Sequence, residues 1–169
     1  MAETKQKILI AVIGGHTADK KTAQLSFAIG QIIAQLGAIL VCGGLSGVMR
    51  AAAKGAKQAG GTTVGILPGK DKSEANEYID IPIATGLGFT RNTLVVGSVD
   101  IVIALSGKEG TLSEIGFALS EKKPIIGINT WDIPGIIKVK TAEDAKKQIM
   151  KIIKKNKYGK YFSSRDSQS

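Results

Sequence analysis

Apolar residues along this chain occur in short unbroken runs that alternate with stretches of helical spacing. The run KILIAVI at residues 7–13 ends in Gly14-Gly15 and is typical of a strand buried on both faces. Residues 19–36 instead repeat their apolar positions every three or four residues, as one face of a helix does. The same alternation predicts strands at 7–13, 38–42, 62–67, 79–84, 100–105 and 124–128, helices at 19–36, 48–59, 90–98 and 111–120, an extended piece at 136–139 and a final helix from about 141.

Strands that alternate with helices are typical of βαβ units and a parallel sheet. We therefore expect an α/β fold, with a mostly parallel sheet of six or seven strands and helices on both faces. One domain is expected over residues 1–157, and Pro82 favours an edge position for its strand. Residues 158–169 are polar and basic, and a flexible tail is expected there. Because the crossovers are right-handed, the carboxyl ends of the strands open at one edge of the sheet.

Glycine-rich loops follow three of the predicted strands, so they are expected to meet at this edge, where α/β proteins bind ligands. Glycine lets a ligand approach the backbone closely, and a helix N-terminus offers free N–H groups to an anion. This combination suits a phosphate, although G-G-x-x-G at residues 43–47 also fits a tight turn without a ligand, and no Walker or dinucleotide fingerprint is present. The predicted loop contacts are Gly14, Gly15, Gly43, Gly44, Gly47, Gly107, Lys108, Gly110 and Thr111.

Two charged residues are candidates for ligand contact. Arg91 is the only arginine between Arg50 and Arg165 and suits bidentate binding of a phosphate or carboxylate, with a surface ion pair as the alternative. Glu114 falls in the first turn of the predicted 111–120 helix. There it can compensate the helix dipole, or it can hydrogen-bond a sugar hydroxyl or act as a general base. Thr111 can cap the same helix or donate to a phosphate oxygen.

The net charge of +9 changes this picture little, because it is unevenly distributed. Residues 138–169 carry ten Lys and Arg against three Asp and Glu, so the basic character belongs to the final helix and tail. A solvated helix face explains this best, and a nucleic acid is the weaker alternative. One cysteine, Cys42, in an apolar run predicts a buried thiol, and a single histidine argues against a zinc site. Without an apolar run of membrane-spanning length, a cytoplasmic protein is expected.

The motifs resemble one Rossmann-like superfamily. The segments at residues 42–49, 65–69, 88–92 and 107–114 occur in its order, over roughly residues 7–130. This superfamily includes the LONELY GUY phosphoribohydrolases and, as the closest likeness, the molybdenum cofactor carrier proteins, with DNA-processing proteins more distant. The resemblance implies a three-layer Rossmann-like sandwich and a homo-oligomer, dimer or tetramer. The helices near 51–59 and 115–119 are small and apolar enough to pack against a partner. The resemblance also implies an AMP-like nucleotide or a phosphorylated pterin as ligand.

The chain departs from the hydrolases at their motif P-G-G-x-G-T-x-E-E. Here Ser106 replaces the proline, Lys108 a glycine and Ser113 the first glutamate, so only Glu114 remains of the pair. Lys108 either holds a phosphate by its charge or obstructs the site. The loss of one carboxylate favours binding without catalysis. Separately, no cofactor or metal is expected to be required. Phosphoribohydrolase activity through Arg91 and Glu114 is the alternative.

Overall fold

The computed structural model describes residues 6–163, with side chains up to residue 156. Their strands are β1 (Leu9–Ile13), β2 (Ile39–Cys42), β3 (Thr63–Leu67), β4 (Ile81–Ala84), β5 (Ile101–Ala104), β6 (Ile125–Gly127) and β7 (Ile136–Lys138). The helices are α1 (Lys20–Gln35), α2 (Val48–Gln58), α3 (Asn92–Gly97), α4 (Glu109–Ser120) and α5 (Ala142–Ser163), with 3-10 turns at Lys72–Glu74 and Gly88–Arg91.

All seven strands pair in parallel, in the order β4-β3-β2-β1-β5-β6-β7. β1 lies at the centre, where Ala11 is in register with Val41 of β2 on one side and with Val102 of β5 on the other. The chain therefore reverses its direction across the sheet between β1 and β5, which is the place where ligands bind in such sheets. β4, which carries Pro82, lies at one edge as its proline predicted.

The core lies on both faces of the sheet, because alternate residues of each strand point in opposite directions. In β1, Ile10 and Val12 pack in a cluster with residues of α1, α2 and α5, whereas Ala11 and Ile13 pack in a second cluster with residues of α3 and α4. All four are buried. These two clusters make the three layers of the α/β Rossmann-like sandwich, so the predicted fold class is confirmed.

Most helix boundaries lie within a residue of the predictions, and three differ by more. The predicted 90–98 helix begins as the 3-10 turn Gly88–Arg91, and α4 begins two residues early, at Glu109. α5 continues to Ser163, through part of the segment that was expected to be flexible, and the rest of that segment, 164–169, lies outside the described residues. No helix within the described part of the chain is both long enough and apolar enough to cross a membrane.

Candidate functional site

A cleft of about 630 Å³ opens at the carboxyl ends of the central strands, beside the reversal of strand order. The loops that follow β1, β2 and β5 form its walls, together with the 3-10 turn before α3 and the first turns of α4. The predicted site residues that line it are Gly14, Gly15, Gly43, Arg91, Gly107, Lys108, Gly110, Thr111 and Glu114.

Two predicted ligand contacts, Gly44 and Gly47, are not among the residues that line the cleft. Both have a positive φ, 77° and 62°, which favours glycine at each position. A Cβ at Gly47 would collide with the backbone of Gly15 and His16, and one at Gly44 would lie 2.6 Å from the Leu67 side chain. These two glycines therefore shape the loop after β2, and the structure gives both a packing role.

The loops after β1 and β5 are tied directly to each other. The Gly15 amide donates to the Ser106 carbonyl at 2.9 Å, and the Val48 amide at the start of α2 donates to the Gly15 carbonyl at 3.0 Å. A Cβ at Gly107 would collide with the Thr111 hydroxyl and lie 3.0 Å from the Gly15 nitrogen. The lack of a side chain at Gly107 thus lets the two loops close over the switch point.

The N-terminus of α4 borders this pair of loops. Lys108 precedes the helix, and its side chain makes no capping hydrogen bond. The first N–H groups of α4 are therefore not capped by this side chain. Uncapped N–H groups and the positive end of the helix dipole suit an anion. Because α4 begins at Glu109, Thr111 lies within the first turn and is not its capping residue. Lys108 is exposed at the cleft, where its charge adds to the helix end.

Arg91 ends the 3-10 turn and is buried, so it is not a surface ion-pair residue. Its Nη1 donates to Asn92 Oδ1 and lies 3.9 Å from Glu114 Oε1, and its Nη2 donates to the Gly43 carbonyl at 3.4 Å. Among the described side chains, Arg91 Nε is one of two buried polar atoms that have no hydrogen-bond partner. The guanidinium is thus held by three elements of the fold and keeps unused donors.

Glu114 is buried in the second turn of α4, not in the first turn as the sequence suggested, so its position does not compensate the helix dipole. Burial raises the pKa of its carboxyl to about 7, and the attraction of Arg91 offsets only part of that rise. Burial likewise lowers the pKa of Arg91, against the attraction of Glu114. Glu114 can therefore hold or release a proton near neutral pH, beside a fixed cation.

Several cleft residues were not predicted from the sequence. Phe89 lines the mouth and is 80% exposed, whereas Asn92 is buried and bonded to Arg91. Both lie within two residues of Arg91 in the sequence, and this closeness was the signal that could have identified them. The unpredicted lining also includes Val12, Ile13, His16, Thr17, Leu45, Met49, Pro68, Gly88, Ser106 and Glu109.

Within the described part of the chain, no three His, Cys, Asp or Glu side chains come close enough together to hold a metal ion. Cys42 is buried, and burial raises the pKa of its thiol to about 11. No residue of the lysine-rich α5 up to residue 156, where the described side chains end, lines the cleft, so nucleic-acid binding by this helix stays a separate prediction.

The comparisons with known proteins agree with this architecture. A model of the SLOG cluster4 family matches residues 7–161. The chain belongs to the SLOG cluster4 family. It is similar to an uncharacterized protein of Archaeoglobus fulgidus, with 45% identity over 119 residues, which cover 70% of this chain and 78% of that protein. The superfamily predicted from the motifs is confirmed.

Two further proteins that are similar to this SLOG cluster4 member are a cofactor-binding protein and a hydrolase. The solved structure of the molybdenum cofactor binding protein of Rippkaea orientalis is 36% identical with a TM-score of 0.84, over 89% of this chain and 99% of that one. The cytokinin riboside 5'-monophosphate phosphoribohydrolase of Mycobacterium tuberculosis is 32% identical over 117 residues, which are 64% of this chain and 63% of that enzyme.

Proposed function

We propose that this protein binds a phosphorylated cofactor, of the pterin or the nucleotide type, in the cleft beside β1 and β5. The observation that carries the proposal is the buried guanidinium of Arg91, which lies among glycine loops at the switch point and keeps unused N–H donors. The similarity to the molybdenum cofactor binding protein of Rippkaea orientalis supports the pterin class.

The residues present fit such a ligand. An anionic group would find the uncapped N-terminus of α4, the charge of Lys108 and the free donors of Arg91. A flat ring would find the exposed side chain of Phe89 at the mouth, and Glu114 could accept a hydrogen bond from a polar ring edge or a hydroxyl group. The volume of about 630 Å³ lies in the range of small-molecule sites.

Thermal unfolding and calorimetric titration test this proposal. The probes are the molybdenum cofactor, AMP, GMP and ribose 5-phosphate, with adenosine as the phosphate-free control. We expect the molybdenum cofactor, AMP or GMP to raise the Tm, and adenosine to raise it much less. If none of the phosphorylated probes raises the Tm or gives a binding isotherm, the proposal is wrong.

Matched arginine variants locate the binding site. Arg91→Lys keeps the charge but loses the planar fork, so we expect it to weaken binding of the phosphorylated probes strongly. Arg50→Lys is the matched control, because Arg50 is exposed, pairs with Glu77 and does not line the cleft. Equal effects of the two substitutions would contradict the cleft as the binding site.

Phosphoribohydrolase activity is the second candidate, and the Arg91–Glu114 pair together with the Mycobacterium tuberculosis relative supports it. A carboxyl whose pKa lies near 7 is suited to general acid–base chemistry. Release of adenine from AMP, followed by chromatography, would establish the activity. Glu114→Gln should abolish the activity, whereas Glu109→Gln, an exposed carboxylate of the same cleft, should retain most of it. No free base from a panel of nucleoside monophosphates would exclude this candidate.

Self-association is proposed through α3 and α4. The alanines of α2 that suggested an interface, such as Ala52 and Ala56, are buried within the chain. Leu94 on α3 and Phe117 on α4 remain exposed. Light scattering after size exclusion would show a dimer or a tetramer, and Phe117→Asp should shift it toward the monomer. A monomeric wild-type protein would contradict this proposal.

A further inference from the structure

Ser113 stands where the hydrolase motif has a glutamate, yet its side chain does not line the cleft. Its hydroxyl donates to the Gly110 carbonyl at 2.7 Å and accepts from Asn92 Nδ2 at 3.2 Å. A hydroxyl has only one hydrogen to donate. Because that hydrogen is committed to Gly110, Ser113 can serve Asn92 only as an acceptor.

These hydrogen bonds fix the orientation of the Asn92 side-chain amide. Its nitrogen faces Ser113, so its oxygen faces Arg91 and accepts from Nη1. A guanidinium has five N–H donors and no acceptor, so a reversed amide would place donor against donor and lose this bond. Asn92 is buried, and a buried group that loses its partner is costly.

The same bonds leave the guanidinium in a defined state. Nη1 is held by Asn92 and lies 3.9 Å from Glu114 Oε1, Nη2 is held by the Gly43 carbonyl at 3.4 Å, and Nε has no hydrogen-bond partner. A guanidinium that is fixed in this way offers its remaining donors without further loss of side-chain entropy when a ligand arrives.

We propose that Ser113 is a positioning residue, which acts through Asn92 to hold Arg91 in the orientation that receives an anionic ligand. The ligand part of this inference rests on the proposed function, whereas the positioning is a property of the free protein. Ser113 therefore has a role of its own and is not merely a lost carboxylate. An ionised glutamate in its place could also accept from Asn92 Nδ2, but it has no hydrogen to give the Gly110 carbonyl.

The positioning is tested by NMR of the side-chain N–H groups in the free protein. The Arg91 Nε–H signal is assigned by its loss in Arg91→Lys. We expect Ser113→Ala to shift this signal and to speed its exchange with water, whereas Ser113→Thr, which keeps the hydroxyl, retains the wild-type behaviour. Ser120→Ala is the matched control, because Ser120 donates to the Phe117 carbonyl at 2.7 Å with the same spacing along α4. An unchanged Arg91 signal in Ser113→Ala overturns the proposal.

A double-mutant cycle with AMP as probe tests the route through Asn92. We expect Ser113→Ala to lower AMP affinity about three- to tenfold, with no comparable loss for adenosine. In an Asn92→Ala background the same substitution should have almost no further effect. A full additional loss in that background overturns the proposed route. If no phosphorylated probe binds the wild-type protein, the proposed function fails, while the Arg91 signal still decides whether Ser113 positions the guanidinium.

Discussion

Arg91 Nη1 and Glu114 Oε1 lie 3.9 Å apart at the base of the cleft, with less than a tenth of either side chain exposed. The two charges come from different elements, the 3-10 turn before α3 and the second turn of α4. Burial disfavours the charged form of each group more than their mutual attraction favours it, as the directions of their pKa shifts indicate. We therefore expect this pair to make the stability of the protein depend on pH near neutrality.

The stability of the protein should fall as the pH rises from 5 to 8. A carboxyl whose pKa is raised in the folded state to about 7 binds more protons when folded than when unfolded between its ordinary value of 4.5 and 7. Its stabilising contribution is present below pH 4.5 and is lost as the pH rises through 7. We expect Glu114 to account for a loss on the order of 2–3 kcal/mol in the free energy of unfolding.

Urea denaturation at a series of pH values measures this loss. Glu114→Gln should flatten the pH dependence, because an amide does not titrate. Glu121→Gln, at the exposed end of α4, is the control and should leave the wild-type slope. A wild-type protein as stable at pH 8 as at pH 5 would contradict the burial of an ionisable Glu114.

Gly107 and Gly110 should respond differently to alanine. A Cβ at Gly107 would collide with Thr111, so Gly107→Ala should lower the free energy of unfolding by about 1–3 kcal/mol. A Cβ at Gly110 has no other atom within 4 Å, so Gly110→Ala should leave the Tm unchanged or raised. If a phosphate approaches the start of α4, Gly110→Ala should still weaken AMP binding in calorimetry. Unchanged affinity in this stable variant would remove Gly110 from the contact surface.

Phe89 should strengthen binding only of ligands that carry a flat aromatic ring such as a base. Stacking of a base on an aromatic side chain contributes about 1–3 kcal/mol, so Phe89→Ala should weaken AMP binding about fivefold or more. The affinity for ribose 5-phosphate, which has no base, should hardly change. Trp131→Ala is the control, because Trp131 is also an exposed aromatic residue but lies outside the cleft lining. Equal losses for both ligands would argue against stacking.

Close approach of α1 and α2 should make Gly30 intolerant of a side chain. A Cβ there would collide with the Ala52 carbonyl, and we expect Gly30→Ala to cost about 3 kcal/mol in chemical denaturation. Gly116→Ala is the comparison, since Gly116 is helical, exposed and free of neighbours within 4 Å. That substitution should stabilise α4 by about 0.5–1 kcal/mol. A tolerated Gly30→Ala would mean that the two helices can move apart without cost.

The sequence could predict the layered fold because parallel strands that are buried on both faces leave unbroken apolar runs, as in residues 7–13. Pro82 predicted an edge strand because proline has no N–H for a second neighbour. The start of α4 was missed because Lys108-Glu109-Gly110 has the composition of a loop, and no capping side chain marks the helix there. Local pattern alone therefore gave wrong boundaries where capping signals were absent.

Sequence alone also determined that glycine loops follow three of the strands, and it singled out one arginine and one glutamate as ligand contacts. Which glycines face a ligand was decided by tertiary structure, because Gly43 lines the cleft whereas Gly44 and Gly47 pack against neighbouring backbone and side chains. The burial of Arg91 beside Glu114 was also a tertiary outcome. The physical reason is that desolvation and hydrogen-bond direction depend on residues distant in sequence, which only the folded chain brings together.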